Sequence, residues 1–341
     1  MKLERFEGCW TAMVTPLNRK GEIDYEGLEK NIQFLIENGS NLVPTGTTGE
    51  SPTLDWKEHD RVITKTAKFA KGKSFVIAGT GSNSTKEAFR GTKHAVEVGA
   101  QGALLVDCYY NGPSSLELRT QYYEVIAKAF RKAFIVPYVI PGRTGTKLEV
   151  EDLAILHRKY KNVRSVKEAT ADLERMAKTR SLCGEDFDIL SGDDDKTFDM
   201  MTRSDIRSSG VVSVISNIVP GPILEMVMAI RKGEMEKANQ LKEVLDPLFK
   251  VVTVNTIESY EGFVVPAKFR NPLGIKTMMK GLGLPSGPCR PPLGKMMPKG
   301  VEVVRNALKA VYEKNKEFLM PIQKFYKVNI EERLTNDRYW K

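Results

Sequence analysis

Residues 102–140 read GALLVDCYYNGPSSLELRTQYYEVIAKAFRKAFIVPYVI. An apolar run at 102–108 passes through a turn containing Gly112 and Pro113 into an amphipathic stretch of helical length, 115–129, and then into a second apolar run, 134–140. Strands that are apolar on both faces belong to parallel sheets covered by helices, so this stretch reads as one strand–helix unit leading into the next strand. The same unit recurs on either side. Strand candidates at 9–16, 41–44 and 74–78 precede it, and candidates at 163–167, 187–190 and 210–215 follow. Helical patterns lie between them near 24–37, 56–70, 150–158, 171–181 and 196–203, with a further one running to Val98 from a predicted capping box, Ser84-Thr85-Lys86-Glu87. Eight strands alternating with helices predict an α/β fold of the (β/α)8 TIM-barrel type rather than a doubly wound sheet.

The eighth strand candidate is followed only by helical patterns, at 223–231, 235–244 and 301–314. These predict a barrel catalytic domain over 1–232 and a C-terminal helical region with an extended tail over 233–341. Residues 251–299 are rich in Gly and Pro, and the tail after Phe318 interleaves charges with aromatics; periodicity assigns neither. At 341 residues the chain suits a barrel with an appendage, and 41% apolar with 28% charged residues is globular composition.

The N-terminal MKLERFEGCW lacks the apolar core of an export signal, and the charge-free stretch 208–224 is broken by Gly and Pro before it could span a bilayer. Cys9, Cys108, Cys183 and Cys289 match neither a metal-site spacing nor a disulfide framework, which predicts free thiols and a cytoplasmic protein. The net charge of +9 comes wholly from the C-terminal third, because residues 231–341 hold 21 Lys+Arg against 12 Asp+Glu. Such a face could steer anionic substrates or attract nucleic acid. No nucleic-acid motif accompanies it, so a silent scaffold or nucleic-acid-binding protein is kept only as the alternative class.

In a barrel of this type the site lies at the C-terminal strand ends. Here those ends carry Gly46-Thr47-Thr48-Gly49-Glu50-Ser51, Tyr109-Tyr110-Asn111, Tyr138 with Gly142-Arg143-Thr144-Gly145, Lys167-Glu168-Ala169-Thr170 and Gly192-Asp193-Asp194. Lys167 is the most informative, because a strand covered on both faces offers a lysine no solvated side. Burial favours the neutral form of an amine, and a neutral amine condenses with a ketone to a Schiff base. A rim lysine that reaches water or pairs with Glu168 is the other reading. Tyr138 and Thr47 are placed to relay protons, or to fill the barrel top and shape a turn. Thr48 hydroxyl and loop N–H groups could hold a carboxylate. Arg143 could fork onto one, or be a solvated loop arginine. Asp193, Asp194 and Asp195 are adjacent and cannot all converge on one ion, so no metal is expected; Asp194 is read as the cap of the next helix. Neither a dinucleotide fingerprint nor a phosphate loop is present.

The motifs GTTGES (46–51), AGTGSNST (78–85), YYN (109–111), GRTG (142–145), KEAT (167–170), SGDD (191–194) and GVVSV (210–214) occur together and in order. Over roughly residues 5–315 the sequence resembles the pyruvate-dependent class I aldolases of the dihydrodipicolinate synthase and N-acetylneuraminate lyase family, and its YYN, GRTG and KEAT motifs look more like the synthases. The resemblance implies a covalent Schiff base of pyruvate on Lys167 with no other cofactor. It further implies a relay of Tyr138, Thr47 and a Tyr110 that crosses from a neighbouring subunit of a homodimer or homotetramer. Thr48 would hold the pyruvate carboxylate, Arg143 the carboxylate of L-aspartate 4-semialdehyde, and Gly192 and Val212 would line the pocket. A same-family lyase acting on a 2-keto-3-deoxy sugar acid or N-acetylneuraminate is the rival within that reading. Ser51, Trp56, His59, Asn83, Glu87 and Tyr109 resemble an allosteric L-lysine site, with Glu87 on the effector's amine and Trp56 on its stem. The tail ending Arg338-Tyr339-Trp340 is similar to the extended tails of plant members. Departures from the pattern are Val139 for the usual Asn, Cys108 for a common Pro, Pro137 within strand five, and a long segment at 251–270.

Overall fold

The computed structural model describes residues 3–341. Eight parallel strands, β1 (Gly8–Ala12), β2 (Asn41–Val43), β3 (Ile77–Gly79), β4 (Gly102–Val106), β5 (Phe134–Val139), β6 (Ser165–Glu168), β7 (Asp188–Ser191) and β8 (Gly210–Ser213), follow the sheet order 2-1-8-7-6-5-4-3. A parallel bridge between Leu42 and Val76 joins the two ends, so the sheet closes into the predicted barrel. Strand β5 runs unbroken through Pro137, which sits in register with Leu105 of β4 and gives up only one ladder donor.

Inward-facing side chains fill the barrel rather than lining a pore. Phe6 and Trp10 stack at a centroid distance of 5.6 Å, and with Val43, Ile77, Leu104, Val136, Leu190 and Val212 they leave a void of about 10 Å³. That packing forms the floor of the site above it.

Side-chain caps open several of the helices. Asp24 accepts from Gly27 N–H ahead of helix Tyr25–Glu37, and Asp55 with Glu58 makes a complete capping box on helix Trp56–Ala70. The box predicted at Ser84 is half formed: Ser84 accepts from Glu87 N–H, but the Glu87 carboxylate takes the Ser82 hydroxyl at 2.5 Å instead of returning to Ser84. Within 115–129, the central Leu118–Tyr123 is wound as a wider π-type turn, which brings the Tyr122 and Tyr123 hydroxyls onto the Val106 and Leu105 carbonyls at 3.2 and 3.1 Å.

Past helix Pro220–Lys232 come helices Met235–Phe249, Leu273–Leu282 and Pro298–Lys314. Between the first two stands a hairpin that periodicity did not assign, β9 (Val254–Tyr260) paired antiparallel with β10 (Phe263–Phe269). Its two-residue turn, Glu261-Gly262, has φ of 49° and 83°, the left-handed pair that matches strand twist. The tail forms short helices, Met320–Tyr326 and Ile330–Thr335, docked on the body: Tyr326 donates to Asn31 Oδ1 at 2.9 Å, and Trp340 lies flat over Gly281. A Cβ at Gly281 would fall 2.4 Å from that ring. One apolar cluster unites barrel helices, C-terminal helices and tail, from Leu28 and Val227 to Leu308, Ile322 and Trp340.

All four cysteines are unpaired and buried. Burial pushes the thiols of Cys9, Cys108 and Cys289 up to about 12 and that of Cys183 up to about 11. Among the described residues no helix is long and apolar enough to cross a membrane.

Candidate active site

Lys167 is the third residue of β6 and faces into the barrel, where it is 5% exposed. It stands in register with Tyr138 of β5 on one side and Leu190 of β7 on the other. Its Nζ lies 4.0 Å from the Tyr138 ring centroid. Glu168, the alternative partner read from sequence, points the other way and pairs with Arg175 at 3.2 Å, so Lys167 is neither at the rim nor tied to its neighbour. The strand beside it can come so near because Gly192 has no side chain: a Cβ there would sit 2.7 Å from that of Ala169.

The β2 loop is drawn down by a second close approach. A Cβ on Gly79 would lie 2.5 Å from the Thr45 carbonyl, and Thr45 donates to the Gly79 carbonyl at 3.0 Å. This seating puts Thr47 over the barrel mouth. Thr48 is buried and accepts from Asn271 Nδ2 at 2.9 Å. Glu50 carries φ of 58° and forms a buried ion pair with Lys276 at 2.5 Å, so the loop is fastened to helix Leu273–Leu282.

Over Lys167 opens a cavity of about 270 Å³ lined by Thr47, Thr48, Tyr138, Arg143, Lys167, Gly192, Asp193, Val214, Lys268, Arg270 and Asn271, among others. A second cavity of about 210 Å³ adjoins it and shares Thr47, Tyr138, Ile140 and Arg143 as common walls. Burial first, and then Asp195, push the Asp193 carboxyl up to about 6 while nearby Lys167 pulls it down. Asp194 does not cap the helix after it. It turns inward and accepts from the Ser213 hydroxyl and the Val214 and Ile215 N–H groups, which ties the start of the loop after β7 to the end of β8. Asp195 lies 3.6 Å from Lys196, and no cluster of three or more metal-ligating side chains occurs among the described residues.

The structure thus gathers Lys167, Tyr138, Thr47, Thr48, Arg143 and Gly192 around one cleft. Val212 lies in the apolar cluster inside the barrel with Trp10, Tyr138 and Leu190, and Val214, one pleat higher, lines the cavity. Tyr110 is not in the cleft of its own chain; it is 93% exposed with φ of 75°. Sequence reasoning missed Lys268, Arg270, Asn271 and Lys276, which arrive from beyond the last barrel strand. The Asn271-Pro272 step is a turn signal, but nothing local says that it meets the barrel mouth.

Of the residues compared with an effector site, Trp56 and His59 pack edge to face at 5.2 Å and the Arg90 guanidinium covers Trp56 at 4.5 Å. Burial lowers His59 to about 4, and its Nε2 lies 3.0 Å from the Gly79 carbonyl. Asn83 accepts from Tyr109 N–H at 2.9 Å, Glu87 takes the Ser82 hydroxyl, and Ser51 and Tyr109 line the smaller cavity.

Residues 5–311 match the model of the Dihydrodipicolinate synthetase family. The chain belongs to that family. As a Dihydrodipicolinate synthetase family member it is 41% identical over 303 residues to a 4-hydroxy-tetrahydrodipicolinate synthase of Methanococcus maripaludis, covering 89% of this chain and 97% of that one. It is 37% identical to the Aquifex aeolicus synthase, with the same coverage. Among solved structures, the synthase of Methylacidiphilum fumariolicum superposes with a TM-score of 0.83 at 34% identity, covering 94% and 100% of the two chains. A dihydrodipicolinate synthase of Cyanidioschyzon merolae with lysine bound gives 0.81 at 34% identity, covering 90% and 98%.

Proposed function

We propose that this Schiff-base aldolase condenses pyruvate with L-aspartate 4-semialdehyde to 4-hydroxy-tetrahydrodipicolinate, in the cytoplasm, as a step toward diaminopimelate and lysine. The observation that carries the reading is the buried Lys167 amine set over the Tyr138 ring in a closed barrel. The amine adds to C2 of pyruvate and water leaves, giving an imine; loss of a C3 proton makes the enamine. C3 then attacks the aldehyde carbon, and the second substrate's own amine displaces Lys167 at C2, closing a six-membered ring. The protonated imine on the lysine is the electron sink for the C3–H pair, so the chemistry calls for no external cofactor. Tyr138 and Thr47 relay the protons that let water leave and that quench the new alkoxide. Thr48 holds the pyruvate carboxylate, Gly192 and Val214 bound the keto-acid end with Val212 in the packed floor below, and Arg143 grips the aldehyde's carboxylate. Residues 1–232 serve as the catalytic domain, and 233–341 as a mainly helical region, interrupted by the β9–β10 hairpin, that completes its mouth.

Borohydride reduction with pyruvate followed by peptide mapping tests this. The label should fall on Lys167, vanish in Lys167→Ala and persist in Tyr138→Phe, which should turn over on the order of 10² more slowly. A label on another lysine, or turnover confined to a keto-deoxy sugar acid or N-acetylneuraminate, would overturn the reading.

The exposed Tyr110 supports a homodimer or homotetramer in which it enters the neighbour's relay. The grouping of Trp56, His59, Asn83, Glu87, Tyr109 and Ser51 beside the cleft, together with the lysine-bound relative, supports feedback by L-lysine. Titration with L-lysine should lower turnover; a flat titration removes that role.

A further inference from the structure

The β9–β10 hairpin stands at the rim of the cleft, and the residues at its exit enter it. Lys268 and Arg270 both line the cavity that holds Lys167 and Arg143. Arg270 Nη1 donates to the Gly142 carbonyl at 2.9 Å, and Arg143 Nη2 donates to the Asn271 carbonyl at 3.0 Å. The Gly-Arg-Thr-Gly loop and the hairpin exit are therefore latched in both directions, each by the other's guanidinium.

This latch sets the Arg143 and Arg270 guanidiniums within reach of each other's charge, and the Lys268 ammonium lines the same small cleft. All three side chains are exposed, so solvent moderates their mutual repulsion, and their summed positive charge makes this end of the cleft a ready site for an anion. The one carboxyl lining the cavity, Asp193, is raised to about 6 by its burial and by Asp195, so it is largely ionised at neutral pH and is already drawn on by Lys167. A single negative charge leaves this end of the cleft with net positive charge. The guanidinium geometry suits a planar carboxylate taken by two forks at once.

We propose that the β9–β10 hairpin is a specificity element that delivers Arg270, with Lys268 behind it, to the second-substrate end of the cleft, where Arg270 and Arg143 hold that substrate's carboxylate between them. The inference rests on the pyruvate–aldehyde reading and adds a residue to it. It implies that the enzyme discriminates among aldehydes by an anionic group distal to the carbonyl.

The test is steady-state kinetics on full-length Arg270→Met, Lys268→Met and Arg270→Lys, with L-aspartate 4-semialdehyde and pyruvate varied separately, alongside borohydride trapping of pyruvate. Arg270→Met should raise KM for the aldehyde about tenfold, as expected for one lost charge-assisted contact. KM for pyruvate and the trapping rate should stay within about twofold of the unaltered enzyme, the precision such a contact estimate allows. Arg270→Lys should recover part of the loss, and Lys268→Met should show a smaller rise of the same kind. An unchanged aldehyde KM overturns the proposal. So does a parallel rise in both KM values, which would mean that Arg270 only props the loop. Failure of the unaltered enzyme to trap pyruvate would be a different result: it would defeat the underlying reaction, and this inference with it.

Discussion

At the scale of single residues, the site works by burying groups that would otherwise be hydrated. Asp107, at the end of β4, shows the effect away from the chemistry. Burial pushes its carboxyl up to about 7, against the hydrogen bonds it accepts from the Tyr123 hydroxyl and Leu148 N–H. A folded pKa above the unfolded value of 3.8 means that the group favours folding at low pH, and that this contribution is lost as pH rises from about 4 through about 7. His59 acts in the opposite sense. Its pKa is lowered to about 4, so its contribution is present above the unfolded value of 6.5 and falls away on acidification. Comparing Asp107→Asn with the unaltered protein separates the two. The amide can donate to Tyr123, whose hydroxyl still reaches the Leu105 carbonyl, and can accept from Leu148. The variant's melting temperature should gain on that of the unaltered protein between pH 4.5 and pH 8; an offset that stays constant across that range would show that Asp107 does not titrate there.

At the scale of elements, the parts legible in the sequence are those whose environment is uniform. The barrel strands are covered on both faces, so they read as unbroken Val/Ile/Leu runs, and the helices announce themselves through Asp24, Asp55 and Ser114. The β9–β10 hairpin is half exposed, with Tyr260 at 70% and Phe263 at 72%; its turn is Glu-Gly rather than Asn-Gly, and Pro266 lies within β10, where it argues against a strand. The tail escapes for another reason. Helices of 7 and 6 residues are too short to show a period, and what fixes them is contact with distant residues. The cleft cluster follows from the rule that barrel chemistry sits at strand ends, so Lys167, Tyr138 and Thr47 could be found. Arg270 and Asn271 could not, because their place depends on how the chain returns. Trp340 tests whether the tail is structural. Its indole donates to the Arg333 carbonyl at 2.7 Å and covers Gly281, so Trp340→Ala should cost about 3 kcal/mol, read as a lower midpoint in chemical denaturation. A midpoint that does not move would mean that the tail is dispensable packing.

At the scale of the whole molecule, barrel and C-terminal region meet at the loop after β2 through Lys276 and Glu50. A pair so buried is weak evidence for net stability, but removing one partner strands the other charge and is costly. The proposed relay draws on a Tyr110 from a neighbour, since the chain's own Tyr110 is exposed to solvent. Mixing Lys167→Ala with Tyr110→Phe, each nearly inactive alone, should restore turnover after subunit exchange, because the hybrid holds one site with an intact lysine and a neighbour's intact tyrosine. Activity that merely averages the two parents would place Tyr110 outside the relay. The buried cysteines bear on a separate matter, how the chain comes apart. A thiol sealed in apolar packing is alkylated only when its surroundings open, and three of the four lie in the barrel while Cys289 lies beyond it. Timed alkylation under mild denaturant would therefore act as a built-in clock, with Cys289 reporting on one half of the chain and Cys9, Cys108 and Cys183 on the other. Equal rates would show that the barrel and its helical extension are lost in a single cooperative event.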